Sequence, residues 1–298
     1  MNKQDKEQQN KTQKINKEKQ LIIYKSLTII LMLVILFFAC KWGYEKYVEI
    51  RTEKMYQDMM SQVNTVSESN QTTSGESDEV VDTSDIEDTQ TETVEPEEDI
   101  LPDDVDIPEK NLDWNSLADI NSDIYAWIYI PNTKVDYPIL QSSDDDSYYL
   151  THNLDGSKGY PGCIYTEKVN YKDFFDFNTL IYGHNMKSGT MFRTLHDFED
   201  KDFFDKNKYI YIYTEEETYV YEIYAAYTTN DAHILNTNDF STELGRKAYI
   251  ETSVTHAEAT GGNVRNDVDV TTDSKIITLS TCTSKSNQRF LVQAIRLN

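Results

Sequence analysis

Lys275-Ile276-Ile277-Thr278-Leu279-Ser280-Thr281-Cys282 and, after a polar loop, Arg289-Phe290-Leu291-Val292-Gln293-Ala294-Ile295-Arg296-Leu297 close the chain as two apolar runs. Both are short and rich in β-branched residues, which predicts two strands spanning Lys275–Thr281 and Phe290–Leu297. If they pair as neighbours, Arg289 comes to lie near Cys282 across the ladder. A cysteine ending one strand and an arginine opening the next sit at a rim, where a ligand can reach them.

Working outward, the same strand-like texture fills most of the C-terminal two thirds. Tyr125–Ile130, stopped by Pro131-Asn132, is a strand candidate, as are Val135–Leu140, Gly162–Thr166 and Thr179–Tyr182. Tyr209–Thr214, the acidic turn Glu215-Glu216-Glu217 and Thr218–Thr228 read as a long hairpin. Alternation there puts Ile210 and Ile212 on one face and tyrosines on the other. A short helix opens the domain around Trp114, with Leu112, Leu117 and Ile120 at helical spacing, and Ser241–Thr252 has helix-forming composition. Many short strands with few helices predict an all-β or β-rich barrel with short peripheral helices, not a doubly wound sheet.

The first hundred residues have a different character. Residues 1–20 are polar and basic, with six lysines against three acidic residues, and 21–40 are mostly apolar with Lys25 the only charge. About 20 helical residues span a hydrocarbon core of roughly 30 Å. The lysine excess before the span predicts a cytoplasmic N-terminus and an extracellular remainder. Cleavage as a secretory signal is disfavoured by the long polar leader and by the lack of a small-residue site before Lys41. Phe37-Phe38-Ala39-Cys40 is a poor lipoprotein box, so an uncleaved anchor fits best. From Tyr56 to Glu109 there is no lysine or arginine, and residues 61–110 carry 17 acidic side chains and one lysine, −16 of the net −24. Such a segment buries too little apolar surface to offset ordering, so residues 41–107 read as a juxtamembrane segment leading into a disordered stalk. The expected division is a basic tail at 1–20, an anchor at 21–40, this stalk, and one catalytic domain at 108–298.

That domain is acidic as well, and no basic patch with interleaved aromatics appears, so nucleic-acid binding has no electrostatic support. Three cysteines are too few for a disulfide framework, and no Cys/His cluster has structural-zinc spacing. Cys163, in Gly159-Tyr160-Pro161-Gly162-Cys163-Ile164-Tyr165, reads as a small residue in a strand. Cys282 at the rim is the candidate nucleophile, because a thiolate attacks carbonyls at near-neutral pH. His184 ends the strand Leu180-Ile181-Tyr182 at a glycine, a second rim position suited to moving protons. The other histidines, His152, His196, His233 and His256, lack such a setting. Arg289 offers directed donors to an oxyanion and stays charged at physiological pH.

These residues, their order and the segments around them resemble the sortases, cysteine transpeptidases of Gram-positive surfaces that share an eight-stranded β-barrel. The likeness to class B is carried by Tyr182-Gly183-His184-Asn185-Met186 with Gly189 and Met191-Phe192 following, the Trp114 helix, Asp136-Tyr137-Pro138, Tyr148-Tyr149-Leu150 and a helix between the hairpin and the cysteine strand. It covers essentially residues 111–298. The resemblance implies Cys282 as nucleophile, His184 as proton carrier and Arg289 as oxyanion donor. It also implies Leu150 and Tyr182 lining the substrate groove, with Ser280 beside the thiol. Asp146 falls where some relatives have asparagine, and the loop Thr229–Phe240, which helps read the substrate in the family, has no residue-by-residue match. The implied partners are surface proteins bearing an Asn-Pro-x-Thr-like sorting motif and an amine of a peptidoglycan precursor or cross-bridge, with the membrane held by the N-terminal helix. No metal or organic cofactor is required.

Two rival readings share some of these features. A papain-like thiol hydrolase of the cell wall would use the same residue types, but it places cysteine before histidine and at a helix start. A membrane-tethered binding module with tyrosine-rich faces leaves the Cys/His/Arg arrangement unexplained.

Overall fold

The computed structural model describes residues 3–69, 101–102 and 105–298, with side chains placed at 17, 19–59, 101–102 and 105–298. The expected stalk at 70–100 and 103–104 lies outside the described residues. The chain divides into two compact units, Met1–Arg51 and Thr52–Asn298.

In the first unit the chain is helical. Helix α1 (Lys3–Ser69) carries a stretch of exposed apolar side chains from Leu21 to Phe38, and among the described residues it is the one helix long and apolar enough to cross a membrane.

The second unit begins on α1, which runs on past Cys40, where the sequence reading ended the anchor. Within this unit Thr52, Tyr56 and Met59 are buried. Tyr56 packs edge-on against Tyr137 at 5.3 Å and donates to the Gly162 carbonyl at 3.4 Å. Then follow α2 (Trp114–Ile120), capped by Asp113, β1 (Ile124–Tyr129), β2 (Asp136–Leu140), α3 (Tyr148–Thr151), β3 (Ile164–Thr166) and β4 (Asn178–Tyr182). A 3-10 helix (Phe192–Glu199) and α4 (Lys201–Lys206) lead to the hairpin β5 (Tyr209–Tyr213) and β6 (Thr218–Asn230). Then come α5 (Ile234–Thr237), α6 (Glu243–Ala259), β7 (Asn263–Val264), β8 (Ile276–Cys282) and β9 (Gln288–Arg296).

The strands run in the order β5-β1-β2-β3-β4-β8-β9-β6, and β6 pairs back on β5. That last pairing closes an eight-stranded barrel, with the two-residue β7 added at the edge of β6. Closure leaves no free sheet edge around the ring. The barrel expected from the sequence is the one observed.

Alternation along β4, β8 and β9 decides where a site can form. Ile181, Ile277, Leu279, Phe290, Val292 and Ala294 belong to the main apolar core. Their neighbours in sequence point to the outer face, where Ile276, Leu291 and Ile295 pack with Tyr249 and Ala257 of α6. Helix α6 covers only the first part of that face. Beneath it, Tyr249 Oη accepts from Gln293 Nε2 at 2.6 Å and from Asn178 Nδ2 at 3.1 Å, which satisfies the buried amides. The far ends of the strands, bearing Tyr182, Ser280, Cys282 and Arg289, extend beyond the helix.

The tyrosine face of the β5 hairpin is covered too. Tyr211 and Tyr213 are nearly inaccessible, and their hydroxyls donate to the carbonyls of Asp106 and Pro108 at 2.9 and 2.7 Å. A segment of acidic, proline-containing sequence is thus tied onto the barrel by the rings it shields.

Candidate active site

Cys282 is the last residue of β8 and pairs directly with Arg289 of β9. Residues opposite one another in an antiparallel ladder project to the same face, with Cβ atoms about 5 Å apart. The outward thiol and guanidinium are therefore neighbours by register. On the other side of β8 lies β4 in parallel, with Tyr182 level with Ser280. The chain then leaves the ladder at Gly183, whose N–H donates to the Ser280 carbonyl at 3.1 Å while its carbonyl accepts from Thr281 Oγ1 at 2.8 Å. Glycine is needed there: a Cβ would lie 2.5 Å from Ile164 Cδ1 and 2.6 Å from the Phe192 ring. His184 follows immediately, so its backbone is fastened to the strand that ends in the thiol.

The His184 ring is half-buried. Nε2 sits 2.7 Å from the Leu150 carbonyl, which only accepts, so this nitrogen carries a proton. Tyr160 meets the ring edge-on at 5.0 Å. Leu150 is brought close by Gly162, at φ +67°, whose missing side chain lets it approach the Tyr149 carbonyl; a Cβ would be 2.5 Å from that oxygen.

Burial holds the His184 pKa below the ordinary histidine value, opposed in part by the Leu150 carbonyl, which favours the protonated ring. Below that ordinary value of about 6.5 the unfolded chain takes up a proton that folded His184 resists, so acidification through this window costs stability. Melting temperatures of wild type and His184→Gln, followed from pH 7 to 4, should show a smaller acid loss in the variant. The acid limb of kcat/KM should likewise fall below pH 6.5. A limb above it would mean that His184 is not the group reporting.

The two cysteines of the second unit are in opposite states. Cys163 is fully buried and its thiol is pushed up to about 12, chiefly by burial, so it is inert. Cys282 is exposed.

Near Cys282, Tyr182, Ser280 and Arg289 line a hollow of about 150 Å³, with Glu167, Leu180, Leu291 and residues 229–234 forming the rest of its wall. The loop that the sequence could not match is thus one side of this groove, and His233 Nε2 meets Glu167 Oε1 across it at 2.9 Å. Burial first, then the Glu167 carboxylate, holds the Tyr182 hydroxyl well above the usual phenol range, while the Arg289 charge pulls the other way. Tyr182 stacks on Tyr165 at 5.2 Å.

Leu150 and Asp146 take different places. Leu150 meets His184 through its carbonyl, with its side chain exposed. Asp146 accepts the Lys168 N–H at 2.9 Å and holds the loop after β3 beside Glu167. A carboxylate performs that task as well as an amide oxygen. Asn185 and His196, which carry no catalytic signature in the sequence, both reach the Cys282 carbonyl, at 2.7 and 3.1 Å. Asn185 lay inside the quoted motif, but nothing in the sequence marked His196.

A barrel rim carrying His, Cys and Arg in this order is an arrangement suited to thiol acyl transfer, and the comparisons give the family. The sortase domain family matches residues 128–297, and the chain belongs to that family of cysteine transpeptidases. Within it, the relatives are of class B. Sortase B of Listeria monocytogenes is 37% identical over 172 residues, covering 57% of this chain and 67% of that one. Sortase B of Staphylococcus aureus is 30% identical over 188 residues, covering 61% and 73%. The crystal structure of Clostridium perfringens sortase B superposes with a TM-score of 0.54 at 31% identity, covering 62% of this chain and all of that one. A Staphylococcus aureus sortase B–substrate complex superposes equally well, at 0.54 and 28% identity.

Proposed function

We propose that this chain is a membrane-anchored transpeptidase that cleaves a C-terminal sorting motif of secreted proteins, Asn-Pro-x-Thr-like, after its threonine. It passes the acyl group to a cell-wall amine through a thioester on Cys282. The observation that carries this reading is the register pairing of Cys282 with Arg289 on the open outer face, next to a histidine fastened to the same strand. The Cys282 thiolate attacks the threonine carbonyl carbon. Arg289, with Nη1 held by the carbonyls of Ser286 and Gln288 at 3.1 and 2.9 Å, offers its remaining donors to the oxyanion. As the C–N bond breaks, His184 protonates the leaving amine. An incoming amine then attacks the thioester, loses a proton to His184, and Cys282 departs as thiolate.

Helix α1 would be the anchor. The lysines of the basic tail favour a cytoplasmic N-terminus, with the catalytic unit outside the cell as a single-pass protein. Gram-positive cell-wall peptides supply amines of the required kind.

The test is a peptide-library cleavage assay on the full chain in detergent, with products read by mass spectrometry, with and without added amines. Water alone should give slow turnover, while a short glycine peptide or a diamino acid should yield a ligated product and speed release. The acidic catalytic unit should favour the cationic acceptor modestly, and added salt should weaken that preference. Fast hydrolysis with no ligated product across a broad amine panel would make the protein a thiol hydrolase instead.

A further inference from the structure

Carbonyls two apart on a strand point to the same edge, so those of Ser280 and Cys282 both face β4. Ser280's accepts the Gly183 N–H, but by the level of Cys282 the β4 chain has turned away. The place of the missing neighbour is taken by a side chain. Asn185 Nδ2 lies 2.7 Å from the Cys282 oxygen, bridging 97 residues of sequence.

The Asn185 amide is itself held on two sides. Arg193 Nη1 donates to Asn185 Oδ1 at 3.3 Å, which turns the NH2 group towards Cys282. His196 Nε2 is 3.0 Å from Asn185 Nδ2, and Nδ1 of the same ring is 2.6 Å from Glu199 Oε1. A carboxylate only accepts, so Nδ1 carries a proton, while Nε2 lies within hydrogen-bond distance of both the Asn185 amide and the Cys282 carbonyl, the latter at 3.1 Å. Asn185 donates one amide hydrogen to the Cys282 carbonyl, and the His196 ring sits against both groups. The ring is clamped further by stacking on Phe290 at 4.8 Å, the β9 residue paired with Thr281.

We propose that Asn185, seated by Arg193 and the His196–Glu199 pair, is a positioning residue that fixes the Cys282 peptide plane and so aims the thiol at His184. Asn185 is the residue after His184, so one short side chain ties the proton carrier's loop to the nucleophile's backbone. Beyond Cys282 the chain enters the exposed loop 283–287, where no ladder would hold that plane. Neither Asn185 nor His196 lines the groove with Tyr182, Ser280 and Arg289; both face a separate hollow of about 370 Å³ bordered by Arg193, Glu199 and Lys285. Substrate affinity should therefore be spared when the bracket is removed. The catalytic part of this inference rests on the transpeptidase reading, whereas the reactivity of the thiol does not.

The experiment uses the full chain in detergent with Asn185→Ala, Asn185→Asp, His196→Ala and His196→Gln. It measures melting temperature, cleavage of an Asn-Pro-x-Thr peptide, and the rate at which iodoacetamide alkylates Cys282. Asn185→Ala should lower kcat by about 10- to 100-fold, the scale on which small misplacements act. KM for the peptide should stay within about two-fold, since uniform binding is untouched. His196→Gln, whose Oε1 can accept from Asn185, should retain more of kcat than His196→Ala. Alkylation of Cys282 in Asn185→Ala should slow towards the rate in His184→Ala. Equal alkylation rates in wild type and Asn185→Ala overturn the proposal whether or not any peptide is cleaved. A rise in KM for the peptide or the amine with kcat unchanged also overturns it, by making Asn185 a ligand contact. Should Asn185→Ala fail to fold, Asn185→Asp decides on the same readouts, because it keeps an acceptor for Arg193 and puts a charged acceptor where the donor to Cys282 was. Failure of the wild type to turn over, with slowed alkylation in the variant, refutes the transpeptidase reading and leaves the positioning role supported.

Discussion

Cys282→Ala is expected to abolish cleavage and thioester formation, and His184→Ala and Arg289→Ala should each lower kcat by about 10²–10³ while melting is unchanged. The three losses have different origins. The first removes the only exposed thiol of the second unit, because Cys163 is enclosed and its thiol is pushed up to about 12 by burial. The second removes the proposed proton carrier, whose Nε2 is held by the Leu150 carbonyl. The third removes a planar cation placed beside the thiol by ladder register. Arg289→Lys should also be poor. An ammonium cannot hold the Ser286 and Gln288 carbonyls and still present a fork to an oxyanion. Turnover of Arg289→Ala within a few-fold of wild type, in a protein that melts normally, would remove Arg289 from the mechanism and leave the oxyanion to backbone donors.

The parts of this site that could be read from the chain are those with a local signature. An apolar run ending in cysteine, a second run opened by arginine and a histidine after Tyr182-Gly183 are each visible in a few consecutive residues. The pairing of β8 with β9 follows from their being sequential neighbours, so the Cys282–Arg289 approach was accessible too. His196 was set aside because it ends no strand. Its contact with Cys282 crosses 86 residues and depends on where the 3-10 helix packs, which no local pattern encodes. The short helices were missed for a related reason. Tyr148–Thr151, Phe192–Glu199 and Lys201–Lys206 are too brief for a 3.6-residue period to show. Helix α6 was recognised only as far as Thr252, although it runs to Ala259, because His256 and Glu258 interrupt the apolar spacing.

The same contrast between local composition and distant packing governs the last expectation, which concerns where the catalytic unit begins. Composition alone puts it at residue 108, after an acidic stretch without a basic residue. Met55, Tyr56 and Met59 are nonetheless spaced as one face of a helix, and in the structure Tyr56 and Met59 are 4% and 3% exposed in the barrel's core. Tyr56 covers Tyr137 and meets the carbonyl of Gly162, the glycine that lets Leu150 approach His184. Removing residues 1–51 should therefore leave the melting temperature of the barrel unchanged, whereas removing 1–107 should lower it. Tyr56 and Met59 are worth about 2 kcal/mol each in burial. At this domain size their joint loss corresponds to a fall of roughly 10 °C. The longer deletion also cuts the hydrogen bond from Tyr211 to Asp106, so Tyr56→Ala with Met59→Ala in the full chain isolates the helix contribution. That double variant should melt lower and cleave more slowly, because the loop it supports holds the histidine. If the two truncations melt together, the 52–59 helix contributes nothing to the fold, and the catalytic unit starts where composition alone places it.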